Sequence, residues 1–435
     1  MLNFNILKEK LPLNIINFIK TIKHNINKLM FQFTFHETQH NYRKTIESLM
    51  AKQKIRIAFF VVQESVWKCD YIYKHFLKDD FFEPVIVVIP YIVRTPEVML
   101  KEMEKTFQFF SKKGYKTFKT YNEKTNTWLD VKKEIKPDIV FFTNPYEGLT
   151  RPEYYINAWL DRLTCYIPYF YGTTSVPKRF YNNPLQNLVW TYFCDSEKQK
   201  KTICKVAYSE GKNLYVSGYA GFDELINNPI KKNNSKIKII WSPHHSIDGF
   251  TSEGVKQSCF LELAEFMKRL PTIYKNIDFV FKPHPLLINH LGIHKDWGKE
   301  RTEKYYSFWN HSLPNVSLEL GDYVELFKTS DAMIHDCGSF RFEYLTVNKP
   351  CLYCLKSLSV LDDVDEETRI MFKNCYYIAQ KQEDIINFIE KIILQQNDLK
   401  KDSRTNYIKN NLIPLNNKSA SLNIYYYIKS SINGK

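Results

Sequence analysis

The chain has 435 residues, 44% hydrophobic and 15% aromatic, and a formal net charge of +14. It is too long for one ordinary core and too apolar for wholesale disorder, so two packed domains with extensions are expected. The positive charge asks for an anionic partner, a membrane surface or a phosphorylated substrate. The charge is spread along the chain, with no zinc-finger spacing and no RNP-like aromatic motif, so no nucleic-acid partner is expected.

Residues 1–54 form a basic segment, with nine Lys/Arg against three Glu. Ile15, Phe18, Ile19, Ile22, Ile26, Leu29, Met30 and Phe33 recur on one face at helical spacing, with Lys20, His24 and Lys28 opposite. Such a helix suits either the headgroup region of an anionic bilayer or a protein surface. No secretory signal is evident, and no run of about 20 apolar residues is present to span a bilayer. The expected location is cytoplasmic, with peripheral contact through residues 1–54 on the cytosolic face of the inner membrane.

From residue 55 strands and helices alternate. IRIAFFVV (55–62) and PVIVVI (84–89) read as buried parallel strands, separated by a helix through Trp67, Tyr71 and Phe76. A helix over 96–113 follows, then strands at IVFFT (139–143), CYIPYF (165–170), WTYFC (190–194) and LYVSG (214–218). The lysine-rich NNPIKKNNSK (227–236) reads as a linker. Beyond it come the strands IKIIW (237–241), IDFVFK (277–282), NVSLEL (315–320), DAMIH (331–335) and CLYCL (351–355). Helices are expected around 256–270, 322–329 and 339–347. Cys351 and Cys354 form the only CxxC among nine cysteines, and no second pair or matching histidines follow. Reduced, buried thiols are therefore expected in place of a structural zinc site.

Two doubly wound α/β halves in succession imply the two-Rossmann-domain, GT-B-like architecture facing a cleft, behind an N-terminal basic helical extension. The expected divisions are 1–54 (extension), 55–226 (acceptor domain), 237–400 (nucleotide-donor domain) and 401–435 (helical tail).

Ligands of open α/β sheets bind beyond the carboxyl ends of the strands. Three turns there carry chemistry: Ser242-Pro243-His244-His245-Ser246, Lys282-Pro283-His284-Pro285, and His335-Asp336-Cys337-Gly338-Ser339 with Arg341 and Glu343 following. Backbone N–H groups and a hydroxyl at a glycine-containing turn suit phosphate oxygens. Histidine either donates to phosphate or shuttles a proton near neutral pH. Glu343 is placed to accept from ribose hydroxyls. The bland readings are a capped helix, a strand stopped by prolines and a surface ion pair. Convergence of four histidines (244, 245, 284 and 335) on one sheet edge favours a site.

At these residues the chain resembles the CDP-glycerol glycerophosphotransferase family, the teichoic-acid and capsule type primases and polymerases. FKPHP (281–285) followed by SDAMIHDCGSFRFEYLTVNKPCLYC (330–354) carries most of the likeness. SGYAGFDEL (217–225) is similar to the segment that closes the family's first domain, and IRIAFFVVQESVWKCDYIY (55–73) to the opening of many members. The resemblance implies a CDP-activated glycerol phosphate donor and a glycan or lipid-linked glycan acceptor. It implies no cofactor, and no acidic cluster suggests a metal. It implies donor contacts at His284, Ser339 and Asp336, to which the strand-end turns add Lys282, His245, His335, Gly338, Arg341 and Glu343 as expected donor-binding residues. The family's first-domain His-Gly-Thr, which supplies a base, is here Tyr171-Gly172-Thr173. The catalytic residues are expected to be His284, His244 and Tyr171; an ordinary tyrosine, with a pKa of about 10, is a poor base, so His244 is preferred for taking the proton, with His245 and Asp161 behind it. The alternatives are a GT-B glycosyltransferase using a nucleotide sugar and a catalytically inactive nucleotide- or glycan-binding relative.

Overall fold

The apolar runs become two all-parallel sheets in the computed structural model, which describes residues 13–172, 177–227, 236–247, 258–321, 323–338, 340–362, 364–414 and 416–433. The first sheet uses β1 (Ile55–Val61), β2 (Phe82–Val88) and β3 (Thr117–Lys119). After a small antiparallel hairpin of β4 (Tyr121–Asn122) and β5 (Thr127–Trp128), it adds β6 (Ile139–Phe142), β7 (Leu163–Tyr166), β8 (Thr191–Cys194) and β9 (Leu214–Val216). The spatial order is β3-β2-β1-β6-β7-β8-β9. The second sheet has β10 (Ile237–Ser242), β11 (Ile277–Phe281), β12 (Val316–Leu318), β13 (Ala332–His335), β14 (Cys351–Cys354) and β15 (Tyr377–Ala379), in the order β12-β11-β10-β13-β14-β15. In both sheets the order reverses beside the first strand, which opens a crevice between β1 and β6 and another between β10 and β13.

Strand periodicity explains why these runs are continuously apolar. Ile55, Ile57, Phe59 and Val61 enter the core on one face of the first sheet, whereas Ala58 and Phe60 enter the core on the other. Ile239 and Trp241 in β10 likewise face one core and Ile240 the opposite one. Both sheets are thus covered on two sides, as parallel sheets must be.

Several boundaries shift for local reasons. β7 starts at Leu163 and stops at Tyr166, because Pro168 has no N–H to continue the ladder. The helix expected over 339–347 is α-helical only over Phe340–Glu343 and tightens into a 3-10 turn over Tyr344–Val347. The short strands β3 and β15 escaped notice, since three residues give no readable alternation.

The tail is divided between the two halves. Tyr407, Ile408 and Leu412 join a core of the second half. The final helix, Ala420–Asn433, returns to the first half, where Ala420, Ile424, Ile428 and Ile432 pack with β1 residues. Asp223 caps this helix, accepting from the Ala420 and Ser421 amides at 3.0 and 2.6 Å. Gly218, at φ +88°, lets Pro414 approach so closely that an added Cβ would lie 2.5 Å from it. The segment SGYAGFDEL is therefore the seat on which the chain crosses back.

The N-terminal helix spans Leu13–Met50. Its later turns dock on the first half: the Tyr42 hydroxyl lies 2.6 Å from the Thr164 hydroxyl and donates to the Leu188 carbonyl at 2.9 Å. Its earlier turns leave Ile22, Ile26, Leu29, Met30 and Phe33 exposed.

Candidate active site

Pairing of Trp241 with Phe281 and of Ser242 with His335 brings the ends of β10, β11 and β13 level at one sheet edge. Two of the turns are then tied together. The His284 amide donates to the Pro243 carbonyl at 3.0 Å, and the Ser242 hydroxyl donates to the Lys282 carbonyl at 2.6 Å. His245 lies 4.3 Å from His244 and 4.2 Å from His284 between ring centroids. One nitrogen from each of these three rings lies within 4.8 Å of the others. A fourth imidazole, His290 on the helix Leu287–Ile293, sits 5.0 Å from His245.

Local backbone groups set the protonation of these rings. The Ser246 amide donates to His244 Nδ1 at 3.3 Å, and the Leu286 amide donates to His284 Nδ1 at 3.2 Å. The Ser246 hydroxyl lies closer, 2.7 Å from His244 Nδ1, and which of the two donates sets that ring's tautomer; on His284 an accepting Nδ1 leaves the proton of the neutral ring on Nε2. His290 Nδ1 lies 2.8 Å from the His245 carbonyl, which only accepts, so there the proton is on Nδ1. The same nitrogen lies 3.4 Å from His245 Nδ1. Burial, reinforced by the neighbouring imidazoles, holds His244, His245 and His284 at about 2, 4 and 3, well below the ordinary histidine value. At neutral pH the turns therefore present three uncharged imidazoles, with an Nε2–H donor on His284, a set that can donate to an anion.

The other expected residues are placed as follows. His335 is fully buried beneath the turn, its Nε2 3.3 Å from the Tyr376 hydroxyl, and burial pushes it down to about 3. Asp336, also fully buried, accepts from the His244 amide, from the Cys259 amide at 2.6 Å and from the Ser258 hydroxyl at 3.2 Å. Burial pushes its carboxyl up to about 7, against the pull of these donors. It braces the β10 turn through these hydrogen bonds. The Lys282 ammonium donates to the Gly321 carbonyl at 2.7 Å, and Arg341 Nε donates back to the Gly338 carbonyl at 3.0 Å. Arg341 and Lys356 line a crevice beside the turn with Tyr353 and Phe372. Ser339 and Thr173 lie outside the described residues.

Glu343 and Tyr171 sit between the halves. Lys68, from the loop after β1, reaches Glu343 at 2.8 Å and also donates to the Tyr323 hydroxyl. Tyr171 packs edge-on against Phe342 at 4.8 Å and donates its hydroxyl to the Asn411 carbonyl at 3.0 Å. Burial first, then the Asp195 and Glu367 carboxylates, push its phenol well above the ordinary value. Tyr171 is thus packed between the halves with its proton held, surroundings that do not favour a base. Gly172 follows at φ +100°, its amide held by Asp195 at 2.8 Å and its carbonyl by the Tyr181 hydroxyl at 2.7 Å.

The sequence reading missed His290, Lys68 and Asp195. The signal for His290 was present as a histidine six residues beyond His284. Lys68 and Asp195 act through partners too distant in sequence for any spacing to reveal.

Residues 172–430 match the family model described as CDP-glycerol:poly(glycerophosphate) glycerophosphotransferase. Among solved structures, the wall teichoic acid polymerase TagF is similar at 12% identity and TM-score 0.59, over 97% of this chain and 98% of that one. A putative UDP-N-acetylglucosamine 2-epimerase from Listeria monocytogenes is similar at 15% identity and TM-score 0.57, over 88% of this chain and 98% of its own. The same enzyme from Neisseria meningitidis, bound to UDP-GlcNAc, matches at 15% identity and TM-score 0.51, over 88% and 100%. These likenesses carry the two-Rossmann fold. No curated protein sequence matches this chain.

Proposed function

This chain belongs to the CDP-glycerol:poly(glycerophosphate) glycerophosphotransferase family, and from that premise we propose that His244, His245 and His284 hold the diphosphate of CDP-glycerol. The activity is transfer of glycerol phosphate from the CDP-activated donor to a glycan or lipid-linked glycan hydroxyl in cell-surface polymer synthesis. The observation that carries the site assignment is the convergence of three uncharged imidazoles at one sheet edge, with one nitrogen from each within 4.8 Å of the others.

The chemistry follows from where charge develops. As the acceptor oxygen approaches the β-phosphorus, negative charge grows on the phosphoryl oxygens and on the bridging oxygen that leaves with CMP. Fixed N–H donors stabilise that charge without reorganising during the reaction. Arg341, beside the same edge, adds a permanent positive charge, and Gly338 leaves the neighbouring backbone open to close approach.

Calorimetric titration with CDP-glycerol tests the assignment. His284→Ala should weaken donor binding at least tenfold while the fold is retained, and unchanged affinity would count against the site. UDP-GlcNAc, titrated in parallel, separates this reading from a nucleotide-sugar transferase. CDP-glycerol that binds without CMP release would mark an inactive relative.

For the N-terminal helix we propose peripheral contact with an anionic bilayer. Leu29, Met30 and Phe33 are 66%, 68% and 76% exposed on one face of a segment carrying a charge excess of six. No helix among the described residues is long and apolar enough to cross a membrane. Flotation with phosphatidylglycerol vesicles should be lost in Leu29→Glu/Phe33→Glu and should weaken with salt.

A further inference from the structure

We propose that the crevice at the carboxyl ends of β1, β2 and β6 binds an uncharged sugar unit, and that the acceptor glycan is seated there. Its role toward the acceptor rests on the transferase reading above, whereas its binding of a sugar does not.

The place is one where open α/β sheets hold ligands. Strand order in the first sheet reverses between β1 and β6. Residues at and just past these strand ends, among them Phe60, Val62, Thr143 and Asn144, line a crevice of about 310 Å³ counted with its open mouth. That volume is at the small end for ligand sites, enough for one ring-sized unit of a chain. The equivalent position of the second sheet, between β10 and β13, carries the donor turns.

The lining decides the class of ligand. Tyr154 and Tyr155 are buried and commit their hydroxyls to the Leu129 and Pro145 carbonyls at 2.8 and 3.0 Å, so they offer the crevice ring surface. Phe60 and Tyr146 add two more rings. Two polar groups remain. Asn144 Oδ1 accepts the Tyr146 amide at 3.0 Å, and the Asn144 NH2 has no partner among the described residues. The Thr150 hydroxyl likewise has none among them. Aromatic surface for the C–H face of a pyranose, with an amide and a hydroxyl for its OH groups, suits a carbohydrate.

Charge argues against a phosphodiester. None of the described residues lining the crevice is charged. Arg151, next to Thr150, pairs with Glu153 at 2.6 Å and lies over the Trp128 ring at 4.7 Å. Arg94, on the loop whose Ile92 amide donates to the Leu149 carbonyl, lies over Tyr91 at 4.8 Å and 3.8 Å from Glu102. The exposed Glu147 adds only negative charge. A phosphate seated here would lose water and gain no cation.

A run of contacts leads from the crevice to the donor half. The Tyr146 hydroxyl is 3.2 Å from that of Tyr169, whose carbonyl accepts from Tyr219 at 2.8 Å. Tyr219 lies 5.9 Å from Tyr171, and Tyr171 packs on Phe342 at 4.8 Å.

Saturation-transfer NMR on the full-length protein tests the proposal. The probes are the methyl glycosides of glucose, galactose and N-acetylglucosamine, with glycerol 3-phosphate as the charged competitor. At least one glycoside should receive saturation at its ring protons, and excess glycerol 3-phosphate should not displace it. Leu149→Trp, which fills the crevice, should cut that signal about fivefold or more, with CDP-glycerol Kd within about twofold of wild type. Thr150→Val keeps the volume and loses the hydroxyl, so it should weaken glycoside binding about three- to tenfold, and it decides the matter should the Trp variant fold poorly. Saturation of none of the three glycosides overturns the site, as does a signal unchanged in Thr150→Val and in a folded Leu149→Trp. Displacement by glycerol 3-phosphate overturns the uncharged class of ligand. A wild-type protein that binds a glycoside but not CDP-glycerol would refute the donor reading and leave the sugar site supported.

Discussion

Lys68 Nζ lies 2.8 Å from the Glu343 carboxylate, with side chains only 11% and 5% exposed, and the two residues come from opposite halves of the molecule. A pair this buried is costly to break and cheap to replace, because removing one partner strands a charge whereas removing both does not. Lys68→Met is expected to destabilise the fold by about 3–5 kcal/mol, and Lys68→Met/Glu343→Leu by much less. Urea unfolding of the two variants decides it. Equal losses would mean that the ion pair is not a unit.

The same pair makes a claim about the donor. Glu343 is engaged by Lys68, so Glu343→Gln should leave CDP-glycerol affinity within about threefold of wild type, less than 1 kcal/mol. A tenfold loss would restore the reading of Glu343 as a partner for the ribose hydroxyls.

Asp336 is expected to act through geometry. Asn at this position has one acceptor oxygen and an NH2 group, so either the His244 or the Cys259 amide would face another donor. Leaving a buried amide unsatisfied costs about 1–3 kcal/mol. Asp336→Asn should therefore lower the denaturation midpoint and weaken donor binding together, through the displaced His244 turn. If affinity falls without any loss of stability, Asp336 contacts the ligand directly.

Much of the site was legible because its determinants are local. Buried parallel strands are continuous apolar runs, and their ends are marked where Pro243 and Pro283 interrupt them, so the turns carrying His244, His245 and His284 could be placed on one edge. Direction was not legible. Whether Asp336 points inward depends on the amides of His244 and Cys259, 92 and 77 residues away in sequence. Glu343 pairs across 275 residues. The return of the last helix to the first half depends on the fit between Gly218 and Pro414, which no periodicity encodes.

Protonation gives a prediction in two directions. The folded-state values of His244, His245 and His284, about 2, 4 and 3, lie below the unfolded value near 6.5. Between those limits the unfolded chain binds more protons, so stability falls as pH drops below about 6.5 and continues to fall toward pH 4. His284→Gln should shrink that slope in denaturation curves. Donor binding has the opposite sign, because an anion beside the rings raises their affinity for protons. CDP-glycerol affinity should therefore rise only as pH falls toward these low values, and between pH 7 and pH 8 binding should show no proton uptake in calorimetry across buffers of different ionisation heat. Proton release on binding would contradict the neutral-donor description of the cradle.

Tyr171 separates packing from chemistry. Its ring fills the space between Tyr219, Phe222 and Phe342, at centroid distances of 5.9, 4.8 and 4.8 Å. Its hydroxyl contributes one hydrogen bond, to Asn411. Tyr171→Phe keeps the ring and loses the bond, so it should cost about 1 kcal/mol of stability and leave kcat within about twofold. Tyr171→Ala empties a large side chain from the contact between the halves and should cost about 3–5 kcal/mol. A Phe variant with its stability intact but kcat reduced by a hundredfold would place the phenol in the reaction after all.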